Sequence, residues 1–142
     1  MMISTRGRYA LRVMIDLTEH KTDGYIPMKE VAARQEISLK YLERILPVFV
    51  KNGLVEGIQG KGGGYKLSRI PEECTVGEIL RLTEGNLAPV ACLDCNAEVC
   101  EKKNTCKTLS MWTEFHRMTN EYFDGISIAD LANGKSLTLS NP

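Results

Sequence analysis

Fifteen residues constrain this chain more than any others. Cys92 to Cys106 reads CLDCNAEVCEKKNTC and holds four of the five cysteines at C-x2-C-x4-C-x5-C spacing. Apart from the thiols, only Leu93, Ala97 and Val99 in it are apolar, so the stretch cannot build a core. A polar loop that keeps returning a thiol to one small region points to something bound between the thiols. Thiolates are soft ligands that select zinc, copper(I) or iron–sulfur clusters. An all-cysteine tetrahedral zinc site and a set of free, redox-active thiols are the alternatives. Compartment bears on the choice. No apolar run approaches the roughly 20 residues that span a bilayer. The basic N-terminus lacks the apolar stretch and cleavage site of a signal peptide. The expectation is a cytoplasmic protein without a membrane partner, whose thiols stay reduced.

The formal net charge is zero, but the charges are segregated. Residues 1–70 carry 12 Lys and Arg against 7 Asp and Glu, and residues 71–142 carry 6 against 11. A basic half joined to an acidic half suggests that only the first meets a polyanion. No nucleophile–base pair is evident, so the chain reads as a non-enzyme. His20 and His116 carry little signal, with His116 read as a surface residue, and Cys74 stands apart as a buried or idle thiol.

Apolar periodicity predicts a helix over residues 5–20, where Tyr9, Val13 and Leu17 recur every four residues. Pro27 then opens a short helix, Met28–Gln35. Ser38 is an N-cap for the next, with Ile37 and Leu42 at hydrophobic-staple spacing. Gly53 suits the left-handed position that ends it, and Pro47 inside it predicts a kink or an early stop. Leu54–Ile58 and Tyr65–Ser68 read as two strands around the glycine-rich tip QGKGGG, a hairpin. The tip lacks the P-loop ending, so a nucleotide site is not expected there. Thr75 to Glu78 has capping-box spacing for a helix ending near Gly85. A helix of four to five turns follows Cys106, and Leu109, Trp112, Phe115, Met118 and Tyr122 make a narrow apolar seam along it. Ser127 to Asp130 is a second capping-box start, for a helix through Ala132. The tail from Asn133 reads as frayed.

Three short helices followed by a hairpin is the winged helix-turn-helix arrangement. The fold class is therefore mainly α with a small β wing. Its third helix enters the major groove of double-stranded DNA. Ser38, Lys40, Tyr41 and Arg44 on the first turns can bond phosphates or base edges, and Glu43 can accept from a cytosine amino group. Lys61 at the hairpin tip, with Arg6 and Arg8 on the first helix, are further phosphate-contact candidates. The boundaries expected are a DNA-binding domain over 1–85, a cysteine-rich loop over 86–106, and a dimerisation helix with its tail over 107–142. From the residues alone, the seam suits either a dimer interface or packing within one chain.

ISTRGRYALR near the N-terminus, ISLKYLE from residue 37, KNGLV from 51, GKGGGY from 60 and TVGEI from 75 make the chain resemble the winged-helix regulators that include IscR, NsrR and CymR. The resemblance covers nearly the whole chain. It implies a homodimeric transcription factor, with the long helix as dimer element and a palindromic operator as target. It also implies an iron–sulfur cluster, 2Fe-2S or 4Fe-4S, held by the positions matching Cys92, Cys100 and Cys106. Two family recipes for the fourth ligand do not transfer: the histidine position is Leu109 and the acidic position is Arg8. Cys95 is the extra thiol and is expected to complete a four-cysteine site, with Cys106 in the first turn of its helix. The wing departs too, with Gln59 where the family commonly has arginine. The function implied is a repressor of cluster assembly or of linked sulfur or iron metabolism. Its rivals are a zinc-stabilised DNA-binding module and a CymR-like repressor controlled by a metabolic enzyme.

Overall fold

In the computed structural model, which describes residues 2–137, a helical body carries a two-stranded wing. Helix α1 spans Thr5–Glu19, α2 Met28–Gln35 and α3 Leu39–Lys51. Strands β1 (Val55–Ile58) and β2 (Gly64–Leu67) pair antiparallel, with Val55 opposite Leu67 and Ile58 opposite Gly64. Helix α4 (Val76–Glu84), the long α5 (Leu109–Asp124) and the short α6 (Ile128–Ala132) complete the order.

The start of α3 follows from its sequence. The Ser38 hydroxyl accepts from the Tyr41 amide at 3.1 Å, and Ile37 and Leu42 are both buried. The helix does not stop at Pro47 but continues to Lys51. Pro47 lies on the exposed side, where its ring displaces no core and the freed carbonyl can be hydrated. The helix ends in a Schellman motif: Leu54 N–H donates to the Phe49 carbonyl at 2.9 Å, and Gly53 sits at φ +71°. Phe49, Leu42, Ile45 and Leu46 then pack with Val13, Met14 and Leu17 of α1 in one buried core.

Two long-range joints hold the helix-turn-helix unit. Asp16 is fully buried on α1, where the Arg34 guanidinium grips it at 2.7 and 3.0 Å and Gln35 donates to it at 2.8 Å. Burial raises the Asp16 pKa, but the Arg34 and Gln35 hydrogen bonds outweigh that and leave it below the usual carboxylate value. The second joint fixes the wing. Tyr65 exchanges both backbone hydrogen bonds with Ile26, at 2.8 and 2.9 Å. Gly64 makes this approach possible, because a Cβ there would fall on the Ile26 carbonyl.

The C-terminal part returns to the same body. Val76 N–H donates to Ile126 and Ile128 N–H to Cys74, at 2.9 and 2.8 Å, and Ile128 is buried in the main core. The stretches 1–85 and 107–142 therefore share a core through α6. Ser127 and Asp130 form the full capping box. At Thr75 only half of the expected box forms. Its hydroxyl accepts from Glu78 N–H at 3.1 Å, but the Glu78 carboxylate turns to Arg69 at 2.7 and 3.0 Å. The expected frayed tail begins as a turn at Asn133, whose N–H donates to Ala129 at 3.0 Å, and Lys135 pairs with Asp130. Residues 138–142 of that expectation lie outside the described residues.

Candidate nucleic-acid interface and cysteine hollow

The start of α1, the N-terminal end of α3 and the wing tip present several of the unpaired cations of the basic half. The Arg12, Arg34 and Arg69 side chains are engaged inside the fold, with Gln35, Asp16 and Glu78. Arg6, Lys40, Arg44 and Lys61 are exposed, and among the described residues their side chains make no hydrogen bond or ion pair. Arg8 makes only a 3.4 Å contact to the Thr5 hydroxyl. Arg6 of α1 meets Tyr41 and Arg44 of α3 around a hollow of about 220 Å³. Tyr41 is held there edge-to-face on Tyr9, with ring centroids 5.3 Å apart. Ser38 caps α3 with its hydroxyl, while Glu43 and Gln59 are exposed. A phosphate facing this surface would meet free donors without first breaking an internal ion pair.

The cysteines lie at the opposite chemical extreme. Cys92, Cys95, Cys100 and Cys106 are all exposed free thiols, and Cys74 is fully buried. Burial pushes the Cys74 thiol up, consistent with an inert core residue. Cys92, Cys100 and Cys106 line one hollow of about 290 Å³ at the head of α5, together with Glu98, Lys103 and Leu109. Cys95 is not among the residues lining it. Among the described residues no three His, Cys, Asp or Glu side chains converge closely enough to hold a single metal ion. The hollow is larger than one ion needs.

Cys106 does not sit in the first turn of α5. Thr108 is the N-cap, and Cys106 lies in the turn ahead of it. Its thiol still feels the helix start. The Thr108 hydroxyl at 3.4 Å, then the Thr108 and Leu109 amides, hold its pKa below the usual thiol value. The soft donor set and its shared hollow fit a cluster-sized group.

Helix α5 buries none of its residues within the chain. Phe115, Met118 and Tyr122 are 45%, 53% and 42% exposed, while Leu109 and Trp112 are half-buried, so the described residues leave much of the seam uncovered. The opposite side of α5 docks on α4. Arg81 donates to Asn120 at 2.9 Å and to Asp124 at 2.5 Å. Gly77 permits this, because a Cβ there would collide with the Asp124 carboxylate. The half-buried His116, by contrast, has its own helix neighbour Asn120 as side-chain polar partner, at 3.2 Å.

Sequence reasoning missed Arg81 and Gly77, which join the cysteine-bearing helix to the DNA-binding unit. Gly77 was visible as the middle of TVGEI, but its reason is a contact with a residue 47 positions later, Asp124. Lys103 and Glu98 were missed as well. In sequence they are two charges of a polar loop, and only the fold gives them a shared hollow.

Fold and surface together define a winged-helix protein that binds DNA. The family described as Rrf2, iron-dependent transcriptional regulator, matches residues 3–134, and the chain belongs to it. Among relatives, the HTH-type transcriptional regulator IscR of Yersinia pseudotuberculosis is 31% identical over 137 residues, covering 96% of this chain and 82% of that protein. Of solved structures, the global cysteine regulator CymR of B. subtilis superposes with TM-score 0.78 at 32% identity, covering 96% of this chain and 99% of that one. IscR of T. potens superposes with TM-score 0.73 at 30% identity, over 100% and 94%. The chain is thus a DNA-binding transcriptional regulator, and its relatives are regulators rather than enzymes. Among the described residues no helix is long and apolar enough to cross a membrane.

Proposed function

We propose that this regulator is a cytoplasmic homodimeric repressor whose operator affinity responds to an iron–sulfur cluster, 2Fe-2S or 4Fe-4S. The observation that carries the reading is the meeting of three exposed thiols in one hollow at the head of an uncovered helix. Cys92, Cys100 and Cys106 would hold the cluster. Cys95, three residues from Cys92, completes a thiolate set when the exposed loop closes. The cluster supplies a centre whose presence and charge report iron, sulfur or oxidant supply.

The route to DNA runs through the chain's own joints. Cys106 leads directly into α5, and α5 is tied to α4 by Arg81. Leu109, Trp112, Phe115, Met118 and Tyr122 form the dimer contact, which spaces two copies of α3 for a palindrome. Lys40, Tyr41, Arg44, Arg6 and Arg8 contact the phosphates. Ser38, Glu43 and Gln59 address base edges, and Lys61 carries the wing. The targets are genes of cluster assembly or linked sulfur and iron metabolism.

A second reading draws on the likeness to CymR, described as a global cysteine regulator. It makes the chain a cysteine-metabolism repressor controlled through a protein partner, with no cluster. Zinc remains the rival metal, since four thiolates in a closed loop would hold it as readily. Iron, zinc and acid-labile sulfide in anaerobically purified protein decide among them. Iron and sulfide together support the cluster. Zinc without sulfide, or neither, refutes it.

A further inference from the structure

The hollow at the head of α5 carries two ionisable side chains besides its thiols, Glu98 and Lys103. Neither is engaged elsewhere: among the described residues, their side chains form no hydrogen bond or ion pair, not even with each other. The charges farther along α5 are engaged, with Arg117 bridging Glu114 and Glu121. Lys103 is also placed by its backbone. Its N–H donates to the Cys100 carbonyl at 3.1 Å, in the turn that separates Cys100 from Cys106. A free cation and a free anion thus stand in the wall of the hollow that three thiols share.

We infer that Lys103 and Glu98 are tuning residues that set the reduction potential of the centre bound in this hollow, in opposite senses. The inference rests on the iron–sulfur reading above. Reduction adds one electron from an external low-potential reductant; no bond forms or breaks, and the charge inside the hollow becomes more negative by one. Lys103 stabilises the more negative state and raises the potential. Glu98 opposes it and lowers the potential. Both side chains are exposed, so dissolved salt screens their effect. Glu101 and Lys107 carry the same charges on the same loop but do not line the hollow. They provide controls of equal charge change.

The test uses the full chain purified anaerobically as wild type, Lys103→Met, Lys103→Arg, Glu98→Gln, Glu101→Gln and Lys107→Met. Iron and acid-labile sulfide are measured first, and dithionite titration with mediator dyes then gives each midpoint potential. Lys103→Met is expected to lower the potential and Glu98→Gln to raise it. Each shift should reach up to about tenfold in the reduction equilibrium, 59 mV for a one-electron couple. Lys103→Arg, Glu101→Gln and Lys107→Met should titrate as wild type, and added salt should narrow the gap between the two shifted variants. Shifts of the same sign, no shift, or equal shifts in the controls overturn the inference while leaving the cluster reading intact. Loss of the cluster in Glu98→Gln alone makes Glu98 a ligand and overturns its tuning role. A wild type without sulfide strikes the cluster reading itself.

Discussion

Replacing Lys40 and Arg44 together by alanine tests the DNA surface through its salt dependence. Both side chains are exposed and make no internal bond, so the substitution removes charge without removing packing. Alanine also suits a helix interior, and the change in stability should stay within about 0.5 kcal/mol. If each residue neutralises one phosphate, a dimer loses about four contacts. The slope of log affinity against log salt then flattens by about 3.6, at roughly 0.9 per contact. Between about 50 and 200 mM salt, the wild type should lose roughly 150-fold more affinity than the variant does. Fluorescence anisotropy on a labelled duplex, repeated across salt concentrations, reads the slope directly. An unchanged slope with an unchanged melting temperature would refute the placement of α3 on the phosphate backbone.

Three further outcomes follow from other joints of the molecule. Lysine at both Trp112 and Phe115 should give a monomer by light scattering, since charge would enter the centre of the proposed α5 contact; a persisting dimer places the interface elsewhere. Asp16 has a folded-state pKa below its unfolded value, so its contribution to stability is complete above about pH 4 and is lost as pH falls through the folded pKa. Asp16→Asn should therefore cost about 3 kcal/mol at neutral pH in urea unfolding and flatten the acid limb of the stability profile; equal acid limbs would refute the pairing with Arg34. Gly64→Ala should detach the wing from Ile26, because φ is +150° and the new Cβ meets the Ile26 carbonyl. Amide exchange at Tyr65 should then rise, and unchanged protection would contradict the wing anchor.

Much of this architecture is legible locally. Ser38 and Ser127 announce helix starts because an N-cap involves only neighbouring residues, and Gly53 announces a stop for the same reason. Pro47 does not end the helix because its cost depends on what surrounds the ring, and here that side of the helix is exposed. The Thr75 box is half-formed because Arg69, outside the motif, competes for the Glu78 carboxylate. Asp16 looks like a break in the apolar stripe of α1 until Arg34 and Gln35 arrive from α2. The same limit applies to the site. Thiol spacing names the cysteines, but which of them share a hollow depends on how α5 begins. That start lies at Thr108, so Cys106 precedes the helix instead of entering it.

In the proposed regulator, the centre held by the cysteine loop changes how α3 meets DNA. The direct measurement is the affinity of one preparation for one duplex before and after its cluster is removed. The duplexes are palindromes selected from random-sequence DNA, one by the cluster-loaded protein and one by the cluster-free protein. On at least one of them the affinity should change by about tenfold or more, some 1.4 kcal/mol of coupling between the two sites. The dimer should persist in both states. Equal affinities on both duplexes, with sulfide shown to be present and then absent, would contradict this coupling.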